Sequence, residues 1–340
     1  MPSAFESKKK EVLDVNRKLA FKCIDAVDLN DIKRVREEFV KDVEKRRNTP
    51  KRIHQGDSSL CGPASFMYCV AREKPDEFAD YALDLALTGE ARLGGLKVAP
   101  GQACRDVEKP VGKKGLPVAP ADWVTLASLR DSTGLFSSMD SARSDAGGMT
   151  FPIALAGWFK ETGWFSEVRN NTALTRTGIN DPLRHLLGIN PLPLSYVCLL
   201  IDAAITQANG RAGNVPTHWV VLGDGAGTGG GSNGNDGTVI RITTPGMKML
   251  NPSGSATTIS KKVETPYQHE IRERISCLPD SPACVANNDP MASRRAELEK
   301  GTLDFRVYTW GDIQPIRRPA GLSVEEFLTG YFGYVAAKVK

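Results

Sequence analysis

Two side chains have the type and setting for nucleophilic chemistry: a cysteine opening an apolar helix and a histidine heading a strand. Cys61 begins CGPASFMYCVA, which reads as a helix with Pro63 in its first turn, where the missing N–H costs nothing. A thiol of pKa about 8.5 is mostly protonated at neutral pH, so a reactive cysteine needs a helix N-terminus, a cationic neighbour, or both. The unpaired N–H groups of the first turn and the helix dipole supply the first of these. Gly62 is expected to leave the backbone open to a substrate carbonyl, and HQGDSSL ahead of it reads as a loop leading to a cleft. The base must come from His54, His185, His218 or His269. His218 heads HWVVL after the turn-like GNVPT, so its side chain can project from a rigid sheet edge. The other three read as surface histidines, and Cys69, Cys104 and Cys198 as small core residues.

The elements that must position this pair fall into two halves. Apolar residues at helical spacing predict two amphipathic helices within residues 9–27 and 32–43, a lead-in over residues 1–50 that either packs on the main domain or docks over a site. Helices follow over 61–71, from a cap at Asp76 to Thr88 with Gly89 behind it, and around 122–130, 152–161 and 182–187. The pattern then changes to β-branched and aromatic runs, YVCLLIDAAI, HWVVL, TVIRITT and LDFRVYTW. A helical half followed by an antiparallel sheet is an α+β arrangement, with the nucleophile at a helix N-terminus packed against the sheet that carries the histidine. Residues 245–301 read as a polar, irregular insertion in a domain spanning 51–340. Ser323 and Glu326 have capping-box spacing ahead of a last helix expected to hold Phe327, Leu328 and Phe332.

Composition narrows the function. Forty-four basic against 40 acidic residues leave +4, too little to predict a nucleic-acid partner. No stretch approaches the roughly 20 apolar residues of a membrane span, and the opening lacks an apolar run after its charges, which predicts a soluble protein without a cleaved secretory signal or membrane insertion. Seven scattered cysteines without zinc-type spacing suit a reducing compartment and no metal; Cys277 and Cys284 alone are close enough in sequence to be weighed as a disulfide. Gly225, Gly227 and Gly230 match a dinucleotide-binding turn, but SNGNDGTVIR follows where a helix is required, so a hairpin connection is expected and no cofactor.

Gln55 stands six positions ahead of Cys61 in QGDSSLCGPA, and HWVVL is followed by VYTWG. This constellation resembles the papain-like cysteine peptidases, and CGPASFMY, TFP, GWF, HWVVL and YTWG look like papain-like bacterial toxin domains delivered by type VI secretion. The resemblance implies that Gln55 and the Cys61 N–H form the oxyanion hole, Cys61 attacks and His218 acts as base. Where that pattern has an asparagine to orient the imidazole, this chain has Tyr308, which leaves Tyr308, Asp312, Asp224 or no residue for that role. It further implies an antibacterial effector, held in the bacterial cytoplasm before export by a secretion-system component. The expected partners are a protein substrate in the recipient cytosol and a cognate immunity protein. Two rival readings are a peptidoglycan amidase or endopeptidase of related fold and an inactive papain-like binding scaffold.

Overall fold

The computed structural model describes residues 4–25, 29–133, 150–189, 195–207, 213, 215–223, 240–243, 298–316 and 322–340. It is α+β, with helices leading into an antiparallel sheet. Helices α1 (Ala4–Leu13) and α2 (Leu29–Asn48) open the chain. The helix expected over 9–27 stops at Leu13, because the Asp14 carboxylate accepts the Asn16 N–H and offers the backbone a turn instead. Arg36 of α2 is wholly buried; it donates to the carbonyls of Val12, Asp14 and Arg17 and to the Asp25 carboxylate, fixing the chain between the two helices. Phe5, Val12, Phe39 and Val43 share one buried core with Phe66, Tyr81 and Trp123, so the N-terminal helices and those that follow are packed as one body.

Helices α3 (Cys61–Glu73) and α4 (Pro75–Thr88) form the next pair. Lys74 rather than Asp76 occupies the N-cap of α4; Asp76 lies in the first turn, where its charge opposes the positive end of the helix dipole. Gly89 ends the helix at φ 78°, the left-handed position that favours glycine. A small hairpin of β1 (Ala91–Leu93) and β2 (Leu96–Val98) is followed by α5 (Gln102–Arg105). Helix α6 (Pro120–Asp122) runs through a π turn, Trp123–Ala127, into α7 (Ser128–Thr133), and α8 (Pro152–Thr162) stops at Gly163.

Strand β3 (Phe165–Thr172) and helix α9 (Pro182–Leu187), capped by the Asp181 carboxylate, precede β4 (Ser195–Ile201) and β5 (His218–Leu222). Then come β6 (Arg241–Thr243), β7 (Thr302–Asp304), β8 (Arg306–Thr309), β9 (Asp312–Pro315), β10 (Leu322–Ser323), α10 (Val324–Thr329) and β11 (Tyr331–Val339). The main sheet has the order β3-β11-β4-β5-β8-β9, antiparallel throughout, and α3 packs on β5. Alternation divides its side chains between two cores. Cys198, Leu200, Trp219, Val221 and Tyr308 join the helical layer, whereas Val197, Leu199, Val220, Leu222 and Val307 face a second core with α9 and α10.

The sheet differs from expectation in three places. The described part of TVIRITT forms β6 in a separate three-stranded sheet, β10-β7-β6. LDFRVYTW divides between the two sheets at Phe305, whose ring enters the second core against Phe327. The Ser323 hydroxyl caps α10 through the Glu326 N–H at 3.1 Å, but Phe332 lies in β11, not in that helix. Gly333, at φ 98°, marks a register shift that turns both Tyr331 and Tyr334 to the second core. Their three-residue spacing imitates a helix in the sequence. Most of residues 245–301, and Cys277, Cys284, Asp224, His269 and Gly225 to Gly230, lie outside the described residues.

Candidate active site

Cys61 is the first residue of α3 and is buried. Leu60 stands at the N-cap and supplies no side-chain cap, which leaves the N-terminal N–H groups of α3 without that partner. Burial pushes the Cys61 thiol up; the backbone N–H groups of Trp219 and Gly62, the charge of Arg130 and the cysteine's own N–H work against it. The space beside Gly62 is not open to substrate, because a Cβ there would fall far inside contact with the Thr150 side chain. The Thr150 carbonyl accepts the Trp219 indole N–H at 2.8 Å, so Trp219 ties β5 to the chain entering α8 while its backbone faces the sulfur.

His218 is the first residue of β5 and buried. Its Nε2 lies 2.7 Å from the Thr309 hydroxyl, and its ring stacks on Trp310 with centroids 4.5 Å apart and planes 14° apart. Both partners belong to the end of β8 and the tight turn to β9, where Thr309 pairs with Asp312. Trp310 and Gly311 have φ 46° and 75°, the pair of positive values that a two-residue hairpin turn requires. Asparagine-glycine is the usual choice there; tryptophan in that conformation costs on the order of 1 kcal/mol, and such strain concentrates at functional sites. Here the strained residue covers the imidazole.

The loop before α3 is clamped from three sides. Asp122 of α6 accepts the His54 N–H at 3.1 Å and a two-point ion pair from Arg46 of α2, at 2.7 Å from Nε and 2.5 Å from Nη2. The Tyr308 hydroxyl donates to the Ile53 carbonyl at 2.5 Å, and its ring stacks on Tyr68 of α3 at 3.9 Å. A Cβ at Gly311 would strike the His54 ring, so the turn bearing Trp310 lies directly against this loop. Gln55 is buried within it; its amide donates to the Ser58 carbonyl at 3.5 Å, the outer limit of a hydrogen bond. Arg130 of α7, 6% exposed, donates to the Ser59 carbonyl at 2.5 Å.

The structure thus brings Cys61 to the strand residue next to His218 and sets Gln55 in the loop that enters α3. Among the described residues, no hydrogen bond joins the Cys61 thiol to the His218 ring or to Gln55. Of the third-residue candidates, Tyr308 serves as a clamp on Ile53, and exposed Asp312 turns to its own chain and to Lys51. Thr309 instead touches the imidazole. Strand alternation was the available signal, since it sets Thr309 and Tyr308 on opposite faces of β8. Arg130 carries no sequence signal at all, because only the packing of α7 brings it to the Ser59 carbonyl beside Cys61. His185 is half-buried rather than a surface group, with Nδ1 2.9 Å from the Tyr331 hydroxyl. Cys69, Cys104 and Cys198 are buried free thiols, as expected of core residues. Among the described residues no group of three or more His, Cys, Asp or Glu could hold a metal ion, and no helix is long and apolar enough to cross a membrane.

Burial pushes the His218 imidazole down to about 3. The folded protein therefore holds this ring neutral, while the unfolded chain protonates it below about pH 6.5. A depressed folded value contributes stability that is complete above the unfolded pKa and is lost as pH falls toward the folded one. The His218 share of the loss should reach about 2 kcal/mol by pH 5. Urea midpoints at pH 7.5 and pH 5 should separate by less in His218→Gln than in wild type. Equal separations would show that the ring is protonated in the folded state.

Comparison of the chain with family models, with curated proteins and with solved structures finds no match.

Proposed function

We propose that this chain is a cysteine peptidase that cleaves a protein target through Cys61 and His218, and that it acts as an antibacterial effector. The observation that carries the chemistry is the setting of the two side chains. The sulfur lies at the N-terminus of α3 against the backbone of β5, and the adjacent histidine is held by Thr309 through Nε2 and covered by a strained Trp310. In the tautomer that donates Nε2–H to the Thr309 hydroxyl, the ring presents Nδ1 as the nitrogen that exchanges a proton. His218 takes the thiol proton, the Cys61 sulfur attacks the amide carbonyl, and the imidazolium then protonates the leaving amine. The indole face over the ring favours the imidazolium that forms in between. The Cys61 N–H and the Gln55 amide donate to the oxyanion; Gln55 gives up only a long bond to Ser58 in doing so. Water releases the acyl enzyme.

The inactive-scaffold reading draws on the lack of a thiol–imidazole hydrogen bond. In substrate-free enzymes such bonds are commonly long and tighten on binding, so their absence here is compatible with the peptidase reading. The effector role, with export to a recipient cytosol and an immunity protein as partner, rests on the resemblance of CGPASFMY, HWVVL and YTWG to toxin domains.

Expression of wild type and Cys61→Ala in bacterial cytosol tests both parts, with growth and new protein termini followed together. Wild type should stop growth and generate termini that Cys61→Ala does not. Cleavage by Cys61→Ala would overturn the nucleophile. Toxicity that arises only on delivery to the periplasm, with cell-wall fragments, would replace the protein substrate by peptidoglycan.

A further inference from the structure

A buried hydroxyl beside the first turn of α3 has no acceptor. Thr150 is 5% exposed, and among the described residues its Oγ1 makes no hydrogen bond. Leaving a hydroxyl buried and unpaired is destabilising, so its presence here calls for an acceptor that arrives later. The hydroxyl caps no helix, because Phe151, not Thr150, stands at the N-cap of α8. Its backbone is fixed: the Thr150 carbonyl accepts the indole N–H of Trp219, the residue after His218 in β5, at 2.8 Å. Its direction is fixed as well, since the branched side chain has few χ1 choices. Of the atoms that a Cβ on Gly62 would strike, Thr150 Oγ1 is the nearest, closer than the Thr150 Cβ and Cγ2. The oxygen is therefore turned to the backbone of α3 one residue past Cys61. That helix end has few donors of its own for an anion. Pro63 has no N–H and the Ala64 N–H bonds to the Leu60 carbonyl at 2.9 Å, which leaves the N–H groups of Cys61 and Gly62.

We propose that Thr150 is a further catalytic residue, whose hydroxyl donates to the oxyanion at the N-terminus of α3. This rests on the reading of Cys61 as nucleophile. As the sulfur bonds to the carbonyl carbon, the carbonyl π pair moves onto oxygen, and that oxygen accepts from the Thr150 hydroxyl as well as from the Cys61 N–H. Thr150 keeps its proton throughout; its hydrogen bond is given up when the carbonyl re-forms and the leaving group departs. The Cys61 sulfur is not the acceptor, because it makes no hydrogen bond with Oγ1. A donor without an acceptor in the resting protein stabilises the transition state more than the ground state, and so raises the rate.

Two reactions of the same sulfur test this without a natural substrate. Acetylation by p-nitrophenyl acetate passes through an oxyanion and is read as p-nitrophenolate release above that of Cys61→Ala. Alkylation by iodoacetamide forms no oxyanion and is followed at the Cys61 peptide by mass spectrometry. The proteins compared are wild type, Thr150→Val, which keeps the branched shape and removes the hydroxyl, and Thr150→Ser, which keeps the hydroxyl. Thr150→Val should acetylate on the order of 10²-fold more slowly, the lower end of the cost of one oxyanion donor. Its alkylation should keep the wild-type rate, and its urea midpoint should hold or rise, because an unpaired buried hydroxyl is gone. Thr150→Ser should retain most of the acetylation rate. Equal loss of both reactions in Thr150→Val overturns the inference while Cys61 stands as nucleophile. Wild-type acetylation in Thr150→Val does the same, and with a lowered urea midpoint it would give the hydroxyl to a buried water. A wild-type protein that is alkylated but not acetylated faster than the urea-unfolded chain also overturns the inference alone. Neither reaction being faster than in the unfolded chain overturns the nucleophile and the inference together.

Discussion

His218→Ala is expected to lower amide hydrolysis by roughly 10²–10⁴-fold, the range over which a positioned acid–base group acts. The loss should appear in kcat, measured on a peptide spanning a cleavage site found in cells, because in the proposed mechanism the ring serves proton transfer and not ground-state binding. Thr309→Val should give a smaller loss of the same kind. It keeps the branched shape of the side chain but removes the oxygen 2.7 Å from Nε2, so the tautomer that presents Nδ1 is no longer fixed. If Thr309→Val retains wild-type kcat while His218→Ala does not, the imidazole is held by Trp310 alone. If His218→Ala retains full activity, the base is another group and the dyad is wrong.

Asp122→Ala should destabilise the fold by about 3–5 kcal/mol, read as a lowered urea midpoint. The alanine would leave the Arg46 guanidinium buried without its two-point partner and the His54 N–H without its acceptor. Burial raises the Asp122 carboxyl above its ordinary range, against Arg46 and the His54 N–H that hold it down. The pair is thus costly to bury and costlier to break than to replace. The double change Arg46→Met with Asp122→Leu should recover much of the loss in stability, because no buried charge then stands alone. Activity should not recover with it, since the loop carrying Gln55 would still lack its anchor at His54. Full recovery of both would show that Tyr308 and the Gly311 turn hold the loop unaided; a cost below about 1 kcal/mol for Asp122→Ala would mean that water reaches Arg46.

Much of the scaffold was legible because its signals are local. The Pro63 first turn, the glycine that ends α4 and the serine cap of α10 each act within a few residues, and helices and caps formed where those signals stand. The misreadings have the opposite character. Phe332 reads as part of the last helix but lies in β11, which owes its form to pairing on both sides, and polar β3, for which no element is expected, forms by pairing with it. Asp76 has the chemistry of a cap but was displaced by Lys74 and Pro75. Gly62 reads as open backbone, yet a threonine distant in the chain fills the space beside it.

The sequence by itself determined the α+β order, the helix that begins at Cys61 and the strand that begins at His218. Hydrophobic period and turn chemistry are written residue by residue along the chain. Only the tertiary structure decided which groups surround those two side chains. Thr309 rather than Tyr308 meets the imidazole because of strand parity and the turn at Trp310 and Gly311. Arg130 reaches the Ser59 carbonyl ahead of Cys61, and Arg46 with Asp122 the loop at His54, because helices remote in sequence pack around one core. Charge and hydrogen bonding act through space, so partners of this kind are set by packing and not by spacing along the chain.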